Sequence, residues 1–218
     1  MSRPVIVVVG AGPGVGASVA QRFGRAGFDV ALVARRADEL EKLGTRLRSA
    51  GIKTGWTPVD ITDEEALRAA VTRFGGFADR IDVLHYNPSA FRQKDPLSLG
   101  VQELLADVAL GVGGLLTAVQ AARPFMRAGA RVTATGSMAA DQPWHEAASL
   151  GVQKAALRNL VRSLDATLQP DGVRAVSVTV KGTLERGTRF DPDLVADAVF
   201  DAARQPEDGW SSEVPYPR

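Results

Sequence analysis

The stretch Val5-Ile6-Val7-Val8-Val9-Gly10-Ala11-Gly12-Pro13-Gly14-Val15-Gly16, followed at once by Ala17-Ser18-Val19-Ala20-Gln21-Arg22-Phe23, carries the organisation of the whole chain. Its first five residues are all β-branched and end at a turn signal, which reads as a strand buried on both faces, as parallel strands are. The glycines let the backbone turn sharply and approach a ligand without interference from a Cβ. Val15, Val19 and Phe23 then recur at helical spacing, so the N-terminus of a helix points back at the turn. Free N–H groups and the positive end of the helix dipole make that spot an anion site. Its natural guest is a dinucleotide pyrophosphate.

The spacing satisfies two templates. Gly12-x-Gly14-x-x-Ala17 fits the general dinucleotide fingerprint, and Gly10-x-x-x-Gly14-x-Gly16 fits a wider-spaced variant. A phosphate loop would need Gly-Lys-Ser/Thr after the turn, and Gly16-Ala17-Ser18 lacks the lysine. The plain alternative is a tight strand–helix turn that binds nothing.

Outward from this turn, strands and helices alternate. Phe28 to Ala34 reads as the second strand and ends in Arg35-Arg36. In dinucleotide folds an acid near this strand end holds ribose hydroxyls, whereas an arginine accommodates a 2′-phosphate. No acid occurs at this strand end until Asp38, which points to NADP rather than NAD; a solvated basic pair at a helix start is the alternative. Leu40, Leu43 and Leu47 form a helical stripe, Lys53 to Val59 a short strand delivering Asp60-Ile61, and Thr62-x-x-Glu65 a capping box. Ile81 to Tyr86 is the fourth strand, stopping at Asn87-Pro88. From Leu97 to Met126 runs a long helical pattern broken by Gly111, Gly113 and Gly114, which implies a bend or a close contact. Ala130 to Thr135 is the fifth strand, ending at Gly136-Ser137, and a second long helix spans Glu146 to Gln169. Val173 to Val180 is the sixth strand, Asp191-Pro192 starts another helix, and Trp210 to Tyr216 forms a last short strand at an edge or an end. The pattern predicts a single domain over 1–218: a doubly wound, Rossmann-like α/β fold with six to seven parallel strands and helices on both faces.

Composition narrows the function. The chain has 218 residues, 45% hydrophobic and 23% charged, with a net charge of +1. That balance gives no electrostatic reason to expect nucleic acid or an anionic membrane. Cysteine is absent, which excludes disulfides and thiolate metal sites, and His85 and His145 are too few for a zinc site of the usual kind. No metal is expected. The first apolar run breaks at Gly10, unlike a signal peptide, and no apolar segment is expected to approach membrane-spanning length, so a cytoplasmic location is the default.

Several motifs in order resemble the short-chain dehydrogenase/reductase family over nearly the whole chain. Val9-Gly10-Ala-Gly-Pro-Gly14-Val-Gly16 is similar to that family's glycine motif, and Asp60 to the aspartate that meets the adenine. Tyr86-Asn87-Pro88-Ser89 stands where Asn-Asn-Ala-Gly normally does, and Arg35 matches the NADP-type position. Ser137 is similar to the catalytic serine, and Lys154 to the lysine of Tyr-x-x-x-Lys. The resemblance implies a cofactor cradle of Gly10, Gly12, Pro13, Gly14, Val15, Gly16, Arg35, Arg36, Asp60, Ile61, Asn87 and Lys154. It also implies a homodimer or homotetramer joined through the two long helices.

Two departures bear on chemistry. Leu150 stands four residues before Lys154, where the family carries its tyrosine proton donor, and Gly111 falls where its proton-relay asparagine sits. Leucine cannot transfer a proton, and losing a positioned acid or base costs about 10²–10⁴-fold in rate. Ser137 still offers a hydrogen bond to a carbonyl oxygen, and Lys154 becomes an acid if burial depresses its pKa. His145, in the loop that approaches the substrate, is the main candidate for a replacement acid/base. Ser149 is one residue from Leu150 but points about 100° away on a helix. Tyr86, His85 and Trp144 read as packing residues, the last against an apolar pocket. Two functions follow: an NADP(H)-dependent oxidoreductase on a small carbonyl or alcohol with a non-standard proton donor such as His145 or ordered water, with Ser137, Lys154 and His145 as its candidate catalytic residues, or an NADP(H)-binding protein that has lost turnover and acts as a sensor or subunit. A methyltransferase would want an acid at the end of the second strand and fits less well.

Overall fold

The computed structural model describes residues 3–217, so of the expected 1–218 span Met1, Ser2 and Arg218 lie outside the described residues. Strands β1 (Val5–Val9), β2 (Asp29–Ala34), β3 (Thr54–Pro58), β4 (Val83–Tyr86), β5 (Arg131–Ser137), β6 (Arg174–Val180) and β7 (Glu213–Tyr216) form one sheet in the order β3-β2-β1-β4-β5-β6-β7. Every pairing is parallel. Helices cover both faces, which is why β1 and β6 are buried along their whole length.

Side chains of β1 alternate between two cores. Ile6 and Val8 face α1 (Val15–Arg25), α2 (Ala37–Ser49) and α7 (Pro192–Ala203). Val7 and Val9 face α3 (Glu64–Ala78), α5 (Gly114–Ala122) and α6 (Ala148–Leu168). On α1 the stripe Val15, Val19 and Phe23 is at most 3% exposed, and Phe23 meets Phe28 and Phe200 edge-on at 5.2 and 5.0 Å. Burying such side chains contributes about 1.5–3 kcal/mol each, so this face alone anchors the helix that presents the glycine turn.

Three local expectations need correction. Thr62 and Glu65 do not form a capping box: Asp63 caps α3, its carboxylate accepting from the Ala66 N–H at 3.0 Å. The Thr62 hydroxyl is instead drawn to the Asp60 carboxylate at 2.8 Å, a shorter-range partner. The long helix starts at Val101, as α4 (Val101–Val108), rather than at Leu97, which is fully exposed. Asp95 turns the chain there by accepting from the Leu97 N–H, and Glu103 reaches back to the Gly100 N–H at 2.9 Å. Helix α4 then runs through one π-turn (Ala109–Gly113) into α5, so the three glycines mark a bulge, not a break. Finally, Val101–Phe125 is 25 residues and, by length and composition, apolar enough to cross a membrane, contrary to expectation. In the fold, Leu115, Ala118, Val119 and Ala122 of this run are core residues packed against the sheet.

Candidate active site

The order in which strands are added to the sheet reverses between β1 and β4, which opens a crevice above the carboxyl ends of the strands. A cleft of about 1210 Å³ occupies it. Its lining contains Gly10, Gly12, Pro13, Gly14 and Val15 from the first turn, Arg35, Arg36, Asp60 and Ile61 on one side, and Asn87, Ser137, Leu150 and Lys154 on the other. A second depression, about 1140 Å³, follows the edge strand β3 from the opposite end of the sheet, between Trp56, Phe74 and Phe77. There Arg48 stacks 4.2 Å from the Trp56 ring and donates to the Thr54 carbonyl at 2.8 Å, covering the strand edge.

The glycine turn is shaped by backbone demands. Gly10 has φ 86° and Gly14 φ 148°, conformations that side chains disfavour. Gly16 does not line the cleft; a Cβ there would sit 2.2 Å from the Gly10 carbonyl, so this glycine lets α1 close onto the turn. A Cβ on Gly12 or Gly14 would meet nothing within 4 Å, so protein packing leaves room in front of both. Helix α1 begins at Val15 with no side-chain cap and no acid in its first turn. Its open N–H groups and dipole therefore favour an anion, and a pyrophosphate fits. The Gly10 and Ala11 N–H groups donate to the Val33 carbonyl at 2.8 and 3.1 Å, tying the turn to β2. Asn87 ties it to the other half of the sheet: Nδ2 donates to the Gly10 carbonyl at 3.1 Å and Oδ1 accepts from the Thr135 hydroxyl at 2.8 Å.

Beside the turn, Arg36 pairs with Glu39, whereas Arg35 is exposed and has no ion pair among the described residues. Asp60 accepts from the Thr62 N–H and hydroxyl, and those bonds, helped by the Arg35 charge, hold its carboxyl below the usual range. Ser137 closes β5, and its Oγ accepts from the Ala139 N–H at 3.2 Å. Lys154 on α6 is 5% exposed and donates from Nζ to the Thr135 carbonyl at 2.9 Å. Burial brings its pKa down to about 8.

The expected groups are not all brought together. His145 lies exposed on a short 3₁₀ turn (His145–Ala147) and is not among the residues lining the cleft, which separates it from Ser137 and Lys154. Ser149 is fully buried and turned away, donating to Asp107 Oδ2 at 2.7 Å. Tyr86 is a packing residue whose hydroxyl donates to the Leu110 carbonyl. His85 is fully buried between Thr133 and Thr135, and desolvation, then the Lys154 charge, push it to about 3, which keeps it neutral. Trp144 does line the cleft, its ring 5.6 Å from that of Phe91. Among the described residues no three His, Cys, Asp or Glu side chains cluster as a metal site.

Sequence reasoning missed what supports this wall. Gln153 is fully buried; its Oε1 accepts from the Ala90 N–H at 3.0 Å and its Nε2 donates to the Ala90 carbonyl at 2.9 Å. A Cβ on Gly111 would sit 2.5 Å from that Oε1, so the glycine makes room for the glutamine. Arg92 grips Asp107 with two bonds of 3.0 Å, holding the same segment to α4. No signal in one sequence links residues so far apart.

Residues 4–190 match the family model for short chain dehydrogenases. An uncharacterized oxidoreductase of Staphylococcus epidermidis is 24% identical over 218 residues, covering 94% of this chain and 93% of that one. Sulfoacetaldehyde reductase 2 of Chromohalobacter salexigens is 25% identical over 178 residues, 80% of this chain and 70% of that one. Among solved structures, a metagenomic short-chain oxidoreductase in complex with NADP has a TM-score of 0.87 at 27% identity, covering 97% of this chain and 96% of the other. A Burkholderia cenocepacia short chain dehydrogenase in complex with NADP gives 0.87 at 25% identity, with 97% and 95% covered.

Proposed function

The chain belongs to the short-chain dehydrogenase/reductase family of oxidoreductases, and we propose that it uses NADP(H) on an apolar carbonyl-containing substrate. The observation that carries this reading is Arg35, an exposed guanidinium without an ion pair among the described residues, lining the cleft beside the open glycine turn. A planar, weakly hydrated guanidinium suits a phosphate monoester. In this assignment Gly12 to Val15 hold the pyrophosphate, Arg35 the 2′-phosphate, Asp60 and Ile61 the adenine end, and Lys154 the nicotinamide ribose. Asn87 keeps the turn in place. When bound, the reduced nicotinamide supplies a hydride. Ser137 donates a hydrogen bond to the substrate oxygen, with Lys154 as the nearby positive charge. His145 drops out as the proton donor because it stands outside the cleft lining. The NADP-bound relatives support the choice of cofactor.

A second reading, an NADP(H)-binding protein without turnover, is favoured by one observation: Leu150, not an acid, faces the cleft four residues before Lys154. Cytoplasmic location and assembly as a homodimer or homotetramer complete the proposal. Fluorescence titration with NADPH and NADH tests it. Arg35→Ala is expected to weaken NADPH about 10–100-fold, the worth of a hydrogen bond to a charged group, and to leave NADH nearly unchanged. Equal affinity for both nucleotides in the parent protein would remove Arg35 from phosphate recognition. NADPH oxidation over a panel of carbonyl compounds, with Ser137→Ala as control, separates the enzyme from the binding protein.

A further inference from the structure

We propose that the depression along β3, at the end of the sheet away from the candidate active site, binds a small aromatic anion such as an aryl carboxylate. This goes beyond the oxidoreductase reading and does not depend on it.

The first ground is the floor. Ile52 and Val30 are buried at its base, and Trp56 and Phe74 are half-buried. Phe77, in the last turn of α3, is 80% exposed. Phe74 and Phe77 stand three residues apart on that helix, so their rings share one face. The depression, about 1140 Å³, has the scale of small-molecule sites, about 300–1,000 Å³. A flat aromatic body laid on these rings takes apolar surface out of water and meets them offset or edge-on.

The second ground is charge. Four cations rim the floor: Arg3, Arg48, Lys53 and Arg73. Asp29 is the single carboxylate among the described lining residues, and Lys53 and Arg3 answer it at 3.1 and 3.9 Å. Asp79 and the Arg80–Asp82 pair lie beyond the lining. Arg48 and Arg73 donate to the Thr54 carbonyl and the Thr57 hydroxyl, and neither has an ion pair among the described residues. The cations stand by the rings: Arg48 4.2 Å from Trp56, Lys53 5.5 Å from Phe77 and Arg73 5.6 Å from Phe74. A ligand stacked on the floor therefore brings its substituent beside a positive charge, which attracts a carboxylate or sulfonate and repels an ammonium.

Other occupants fit this place less well. An added strand needs the β3 backbone, but Arg48 holds the Thr54 carbonyl and Pro58 has no N–H to give. A second copy docked by the same face sets these four cations against their duplicates. A bilayer surface is flat and does not fill a depression. Guarding the strand edge accounts for Arg48 but gives no reason for a phenyl ring left in water on α3.

The test compares anilinonaphthalene sulfonate with phenylnaphthylamine, the same aromatic body without its charge, by fluorescence titration of the NADP-saturated protein. The anion is expected to bind about fivefold tighter than the uncharged probe, the upper worth of an exposed ion pair. Arg48→Gln combined with Arg73→Gln should bring the two affinities together. Phe77→Ser should weaken both probes about tenfold, as expected for lost apolar contact. Phe91→Ser, at the mouth of the other cleft, should change neither. Added salt should weaken the anion alone.

Equal binding of the two probes to the parent protein overturns the proposal, as does binding that Phe91→Ser abolishes and Phe77→Ser leaves intact. Co-sedimentation with phosphatidylglycerol vesicles that requires Phe77 overturns it too, by making this face a membrane surface. A dimer that Phe77→Ser splits does the same in favour of a second copy. Should the arginine double variant melt below the parent, Lys53→Gln, at an exposed side chain, reads the same loss of the anion's advantage. If NADPH itself fails to bind, the cofactor reading falls and the probe results still decide this one.

Discussion

Lys154 shows how a single buried side chain in the cleft wall can cost stability. Its ordinary pKa is 10.5, and burial lowers it to about 8. Below pH 8 the ammonium is charged in the folded and the unfolded chain alike, and burying that charge destabilises the fold. Between about 8 and 10.5 the unfolded chain keeps a proton that the folded chain has released, so stability rises with pH across this window. The difference of 10.5 − 8 = 2.5 units corresponds to about 3 kcal/mol. Losing the hydrogen bond to Thr135 returns about 1 kcal/mol of that. Lys154→Met is therefore expected to melt at a higher temperature than the parent at pH 7, with the advantage fading as pH approaches 10.5. Thermal denaturation across that range checks it, and a variant that melts lower at pH 7 contradicts the assignment. The lysine's identity and position were plain in the sequence. Its partner, a backbone carbonyl 19 residues away, was not.

At the scale of elements, the π-turn between α4 and α5 is a fitted joint. The bulge brings Gly114 so close to the sheet that a Cβ would sit 2.5 Å from the Tyr86 hydroxyl and 2.6 Å from Ile61. Gly114→Ala is expected to destabilise the protein by about 1–3 kcal/mol, the range for overpacking a filled core. Adding Tyr86→Phe removes one of the clashing atoms, so the double variant should lose less than the sum of the single losses, measured by denaturant unfolding. Additive losses would show that Gly114 is not held by this contact. The three glycines announced a bend or a contact in the sequence, but a bulge and a break look alike there. Only the neighbour across the gap distinguishes them. The start of α3 carries the same lesson: Thr62 has capping chemistry, yet Asp60 two residues earlier claims its hydroxyl.

For the molecule as a whole, the Phe91 wall of the cleft depends on ties between distant segments. Asp107, 4% exposed, accepts from Arg92 and from Ser149, and the Arg92 bonds are the leading cause of its lowered pKa. Asp107→Ala leaves Ser149 without its acceptor and Arg92 with Glu103 alone, which loosens the segment that carries Phe91. Limited trypsin digestion should then cut faster after Arg92 and Lys94, while NADPH affinity changes little, because the glycine turn is anchored separately through Val33 and Asn87. Unchanged cleavage would show that the remaining ties, Gln153 to Ala90 and Arg92 and Lys94 to Glu103, hold the wall without Asp107.

By itself the sequence determined the alternation of strands and helices, the hand of their crossovers, and the helix terminus that suits an anion. Each of these depends on short-range physics: hydrophobic period, glycine backbone freedom, helix termini and the right-handed crossover. The tertiary structure alone decided that His145 stays outside the cleft, that Tyr86 is spent on packing, and that Gln153 occupies the space beside Gly111. Those outcomes come from contacts between residues as much as 63 positions apart, as between Gln153 and Ala90. Local propensity has no hold over such contacts; close packing of the assembled core does.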